Sequence, residues 1–232
     1  MRESGFNRML GVLVAPGKAF AAIAERPTWV VALITLIAVS VVATVVVTPR
    51  IDMEKVIRDQ VAQSGRQVPN DLLDKQIEFA QKFRWVFAAV GLVAQPVIYL
   101  LVALVFWVLF RLLGSELDFQ RSFAVAVHGF LPGALAGLLS LPVILSQTTL
   151  DYERMRSGSF LFSNPGAFLG PETAKPLVAL LSSFDVFSIW SVVLLAIGYR
   201  IVGRVSRAAA VGGVVALWAV YVLGKVGISA IF

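Results

Sequence analysis

The stretch RSFAVAVHGFLPGALAGLLSLPVIL, Arg121 to Leu145, decides the fold. It is long and apolar enough to cross a bilayer, and it carries no charge after Arg121. Gly129, Gly133 and Gly137 recur every four residues. On one helix they would form a stripe against which another helix backbone can press closely. Pro132 lies inside the same run and is expected to kink it. A bulky change such as Gly133→Leu is then expected to disrupt assembly. The stretch also holds His128, the only histidine in the chain.

The rest of the chain agrees with a membrane class. Of its 232 residues, 58% are hydrophobic and only 15% charged. A soluble domain is nearer about a quarter charged. The positive charges are dispersed among loops and form no patch, so the net charge of +6 points to loop orientation and not to nucleic acid. No cysteine is present, which excludes disulfides, cysteine-based zinc sites and thiol nucleophiles.

Outward from the opening stretch, four more apolar runs reach membrane-spanning character. The expected spans are 29–47, 86–109, 123–145, 186–203 and 208–230. The first begins at Trp29, an interfacial anchor, and ends at Pro49 and Arg50. No small-residue cleavage site follows it, so it is read as a retained span and not a signal peptide. Before it, residues 1–28 form a basic, partly apolar segment. Phe6, Met9, Leu10 and Leu13 fall at helical spacing, as do Phe20 and Ile23 after Pro16. Two readings fit: an amphipathic helix in the cytoplasmic headgroup layer, or a lead-in packed on the bundle.

Residues 50–84 are the most charged part, with alternating signs from Asp52 to Lys82. They read as an extramembrane hairpin divided at Gly65 and Pro69, either solvated or facing a partner. Its second helix is expected to start at Asn70 or Asp71 as N-cap and to run straight into the second span. The segment after Gln147 carries Asp151, Glu153, Arg154 and Arg156. It also carries Phe160, Leu161, Phe162 and Phe168, which suggest that it dips onto the membrane surface. Leu177 to Ser182 is expected to be interfacial. Asp185 is expected to cap the fourth span, with Ser182 or Ser183 as competing caps.

Five spans put the termini on opposite faces. The N-terminal segment and the second and fourth loops carry Arg2, Arg8, Lys18, Arg26, Arg111, Arg121, Arg200, Arg204 and Arg207 in short stretches. Lys and Arg in short loops set orientation, so the N-terminus is expected in the cytoplasm.

Catalytic chemistry finds little footing. On one helix, His128 and Ser140 would stand roughly 18 Å apart at about 1.5 Å per residue, beyond the reach a nucleophile–base pair needs. No nucleophile elbow, zinc motif or phosphate loop is present. No cofactor, metal or catalytic set is expected. The candidate functional polar residues are Asp185, His128 and Gln95, since ionisable and polar groups inside spans are functional candidates by default. Each also has a structural reading. Asp185 caps a helix, His128 makes a packing hydrogen bond, and Gln95 beside Pro96 bonds to another helix. Lys225 snorkels towards the far surface.

Four stretches resemble the Yip1 family of multi-span membrane proteins in its bacterial form. They are PGKAFAAIAERPTW (Pro16 to Trp29), GSELDFQRSFAVAVHGFLP (Gly114 to Pro132), FDVFSIWSVVLLAIGYRIV (Phe184 to Val202) and VVALWAVYVLGKV (Val214 to Val226). The resemblance implies about five spans, a cytosolic N-terminus and a short C-terminus across the membrane. Eukaryotic relatives are linked to vesicle trafficking through a long cytosolic region with an acidic, tyrosine-containing motif. The segment before Trp29 shows no counterpart, so that role is not carried over.

The expected protein is therefore all-α and polytopic, with about five transmembrane helices plus interfacial amphipathic helices. Residues 1–28 form the interfacial segment and 29–232 the membrane domain. It is expected in a bacterial cytoplasmic (inner) membrane, with its C-terminus periplasmic or extracellular. The expected role is a non-enzymatic scaffold or accessory subunit. Its partners would be the lipid bilayer and other membrane proteins or further copies of itself. A small transporter or channel using Gln95, His128 and Asp185 is the alternative.

Overall fold

The structure is a computed structural model and describes residues 5–65, 67–150, 159–170 and 172–231. Of the charges expected after Gln147, Asp151, Glu153, Arg154 and Arg156 lie outside the described residues, as does Arg2. The helices are α1 (Gly5–Val14), α2 (Pro16–Glu25), α3 (Val30–Val47), α4 (Met53–Ser64), α5 (Asn70–Leu112), α6 (Phe119–Gly129), α7 (Leu131–Leu145), α8 (Lys175–Leu181), α9 (Val186–Val202) and α10 (Arg207–Ile231). The fold is all-α, with four helices long and apolar enough to cross a membrane. These are α3 with its short 3-10 extension, α5, the α6–α7 pair and α10. Helices α8 and α9 make a fifth span if they are taken together, bent by 51°.

Local chemistry sets the boundaries. Pro16 opens α2, where a missing backbone N–H costs nothing. Asp52 caps α4 by accepting from the Lys55 N–H at 3.0 Å, and Gly65 ends that helix at φ 65°. Asp118 caps α6 by accepting from the Arg121 N–H at 2.7 Å and also pairs with the Arg121 side chain. The expected cap at Asn70 or Asp71 is not used: Pro69 holds the cap position and Asn70 is the first helical residue. Pro69 presets the extended backbone of a cap, so the turn forms without a side-chain bond.

Helix α4 packs back along the first turns of α5, whose Leu73 and Ile77 are buried. Arg58 bonds Glu54 at 2.8 Å and Asp74 at 3.4 Å, tying the two arms. The Glu54 hydrogen bond holds the Arg58 guanidinium above its ordinary range. All three side chains are exposed, so the pair contributes little to stability. As expected, α5 then continues unbroken into the second span through Pro96, over 43 residues in all.

The opening stretch is the centre of the core. Every residue from Ser122 to Gly129 is buried. Around α6 pack Phe106 and Phe110 of α5, Leu194, Leu195 and Tyr199 of α9, and Phe20 and Ile23 of α2. The elbow α1–α2 therefore belongs to the bundle. Of the two readings of this segment, packing on the bundle holds for the face bearing Met9, Val12, Phe20 and Ile23. Phe6, Leu10 and Val14 remain exposed on the other face of α1.

The glycine stripe needs correction. The helix breaks at Phe130, just before Pro132, which sits buried in the first turn of α7. Gly129 and Gly137 face different partners. A Cβ on Gly129 would collide with Leu195 of α9, and one on Gly137 would stand 3.3 Å from Val39 of α3. A Cβ on Gly133 would meet no described atom within 4 Å. The second close approach to α6 comes instead from Gly198 of α9, where a Cβ would stand 2.6 Å from Val125 and 2.9 Å from Phe20.

Far from the elbow, Arg50 ties the ends of α3 and α7. Its side chain donates to Val46 O at 2.6 Å and to Gln147 O at 3.2 Å. Its own carbonyl accepts from the Leu150 N–H at 2.9 Å. Both spans therefore leave the bundle on one side.

Candidate functional site

The polar residues singled out in the sequence lie in separate places. His128 is buried on α6, and its Nδ1 donates to Ala124 O, one turn back, at 2.8 Å. A carbonyl can only accept, so Nδ1 carries the proton. Gln95 donates to the Tyr99 hydroxyl at 2.8 Å, one turn on along α5. The bond lies within one helix and is not the expected bridge between helices. An i, i+4 partner costs a half-buried amide less ordering than a distant one.

Asp185 sits in the break between α8 and α9. One carboxylate oxygen accepts from the Phe187 and Ser188 N–H groups at 2.9 and 3.2 Å, so Asp185 is the cap of α9. The other oxygen accepts from Ser163. Ser182 and Ser183 are not caps. Their hydroxyls donate back to Ala179 O at 3.2 and 2.7 Å.

Among the described residues, this break gathers several polar side chains from different helices. Lys225 of α10 reaches across to it and donates to Ser182 Oγ at 2.8 Å and to Ser183 Oγ at 3.4 Å. The snorkelling expected of Lys225 is thus corrected. Its charge lies at the C-terminal end of α8, where the helix dipole and the last carbonyls favour a cation. On the other side of the break, Gly166 presses against Ser182: a Cβ there would stand 3.0 Å from the Ser182 nitrogen. Buried Asn164 fixes that turn by accepting from the Ala167 N–H at 3.0 Å. Phe162 and Phe168, its neighbours, remain exposed and lie against each other with ring centroids 5.7 Å apart.

A second polar knot stands in the core. Ser122 of α6 donates to Ala103 O of α5 at 2.8 Å. The Tyr199 hydroxyl lies 3.0 Å from Ser122 Oγ and donates to Ser122 O at 3.2 Å. Three helices are joined through one serine and one tyrosine.

The Yip1 domain matches residues 10–228, nearly the whole chain. The chain belongs to the Yip1 family. It is similar to the membrane protein YknW of Bacillus subtilis, with 24% identity over 202 residues, covering 87% of this chain and 80% of that protein. No solved structure matches.

Within this Yip1 domain, the cluster at the break is arranged to hold helices together. A serine is activated as a nucleophile when a base takes its proton. Here both hydroxyl protons go to Ala179 O and Lys225 acts as donor, so the serine–lysine geometry runs in the wrong direction for that chemistry. Among the described residues, no group of three or more histidine, cysteine, aspartate or glutamate side chains could hold a metal ion.

Sequence reasoning missed the Lys225 clamp and the Ser122–Tyr199 knot. Their partners lie 43 and 77 residues apart, with no local pattern to join them. One signal was available for the clamp: SSFD interrupts an apolar run, and such a break inside a span must find polar partners.

Proposed function

We propose that this Yip1-family protein is a non-enzymatic scaffold or accessory subunit for other membrane components. Its place is a bacterial cytoplasmic membrane, with the N-terminus in the cytoplasm. The observation that carries this reading is that His128, Gln95 and Asp185 are each spent on a separate local bond. A transport path needs such groups to converge on one water-filled route. The α4–α5 hairpin supports the same reading. Beyond the charged band of Lys82 and Arg84, α5 still exposes Leu72 and Phe79 on the side away from α4. Exposed apolar side chains outside the bilayer suit a partner helix.

The test is photo-crosslinking in native membranes from Leu72 and Phe79, followed by mass spectrometry. A membrane protein or a second copy should be captured at these positions. Recovery of an uncrosslinked monomer from both would overturn the scaffold.

The bent fourth span favours a second reading, a small transporter, because broken helices build substrate sites in that class. The chain has no cysteine, so single cysteines report cleanly. Ser183→Cys, at a buried position, should resist an impermeant maleimide in a scaffold. Reaction from both faces would favour transport. The same chemistry checks orientation: cysteine at Lys18 should label from the cytoplasm and cysteine at Leu72 from outside.

A further inference from the structure

Helix α5 buries Leu73 and Ile77 near its start, then Tyr99, Ala103, Phe106 and Phe110. Between Ile77 and Tyr99 it buries nothing, over roughly 33 Å at about 1.5 Å per residue. Its 43 residues make a helix roughly 65 Å long, more than twice the hydrocarbon core of about 30 Å. One end must therefore project, and the charges from Asp71 to Arg84 mark that end. The side of α5 turned away from its buried residues carries one apolar line. At about 100° per residue, Leu72, Phe79, Val90, Val97 and Leu101 point within about 20° of a single bearing. Each is between 48% and 60% exposed. Aromatic rings carry the line through the charged band: the Phe79 ring centroid lies 4.6 Å from that of Phe83 and 6.1 Å from that of Phe87.

Lipid can cover the part of this line that lies inside the bilayer. It cannot cover Leu72 and Phe79, which lie beyond Lys82 and Arg84. One element that covers both parts must be a helix that crosses the membrane and runs on past it along the same bearing. Among the described helices only α5 is long enough, since the other candidate spans have 21 to 27 residues. We propose that two copies of this chain pair along α5, side by side about a twofold axis normal to the membrane. The pairing rests on the scaffold reading and names its first partner. A twofold axis sets each residue of the line against its own counterpart, apolar on apolar. No charged residue stands on this bearing, so no charge meets itself. Both tips then end at one height. From Leu72 to Leu101 the line runs roughly 44 Å, and with a helix about 10–12 Å wide the pair buries on the order of 1,000 Å², which is what a specific interface requires.

Disulfide trapping in native membranes tests this, because the chain has no cysteine of its own. Under mild oxidation, Val90→Cys and Val97→Cys should each shift to a band at twice the 25.1 kDa chain mass. Trp85→Cys is the control: Trp85 is 50% exposed but points roughly 140° around the helix from Val90, and this variant should stay at the mass of one chain. Equal trapping from all three positions, or none from Val90 and Val97, overturns the pairing. If the cysteine variants do not accumulate, the mass of the full chain in lipid nanodiscs decides. The wild type should have the mass of two chains, and Phe79→Glu, which sets two like charges face to face, should shift to the mass of one. A single-chain wild type, or a Phe79→Glu variant that stays fully paired, sinks the idea. Capture of a different membrane protein from Leu72 or Phe79, with no disulfide-linked pair, overturns the pairing and leaves the scaffold standing. Uncrosslinked monomer from both positions, with no disulfide-linked pair, overturns both.

Discussion

Gly129 and Gly198 are the residues on which the interior turns. Each lets α6 and α9 approach more closely than a side chain would allow. Gly198→Ala should therefore cost about 1–3 kcal/mol by overpacking against Val125 and Phe20. Gly133→Leu, by contrast, should leave the fold intact, since no described neighbour stands within 4 Å of the added Cβ. Thermal unfolding in detergent separates the two. A large loss at Gly133 and none at Gly198 would contradict the packing. Asp185 is a second residue whose effect can be stated in advance. Asp185→Ala removes two backbone bonds at the start of α9 and should cost about 1 kcal/mol, while Asp185→Asn should retain most of the cap. Both would be read from the unfolding midpoint. His128 belongs at this scale as well. A lone histidine in an apolar run invites a catalytic reading, yet its ring closes a bond within its own helix. The sequence could not reveal this, because a side chain's rotamer is set by what packs around it.

The spans were legible because bilayer thickness imposes a length that can be read directly from uncharged apolar runs. The hairpin of α4 and α5 was legible for the opposite reason, its density of alternating charge. What escaped were features that depend on where one helix meets another. The glycine spacing in α6–α7 assumed one shared partner; Gly129 meets Leu195 of α9 and Gly137 meets Val39 of α3 instead. The elbow α1–α2 has apolar residues on two faces, so spacing alone could not say which face met protein. At this scale Phe20 is decisive. It is fully buried between α2, α6 and α9, and Phe20→Ala should cost about 3–5 kcal/mol and detach the elbow. Protease protection of α1 and α2 would report it; an elbow that stays protected contradicts this packing. The clamp at the bent span makes a matching prediction. Lys225→Met leaves Ser182 and Ser183 without their shared donor and should free α8 from α10. Hydrogen exchange should then quicken across Lys175–Leu181 while α6 stays protected. Unchanged exchange in α8 would show that the clamp is dispensable.

Taken whole, the protein is a helical bundle wound around α6, with polar links at its two ends. Arg50 fastens α3 to α7 on one side, and Ser115 fastens the α5–α6 turn to Gly203 O on the other at 2.5 Å. Between them runs α5, and its length has a mechanical meaning. From Asn70 to Arg84 it projects beyond the charged band by roughly 22 Å, at about 1.5 Å per residue. No break interrupts it, so the hairpin tip cannot fold down towards the bundle without bending a continuous helix. Helix α5 therefore sets both a distance and a direction. It fixes the height at which its outermost turns are offered, and also the compass direction in which Leu72 and Phe79 point. Seven added residues would raise that height by about 10 Å and nearly restore the direction, whereas two added residues would turn it by about 200°. A partner of the kind proposed above would have to read both distance and bearing.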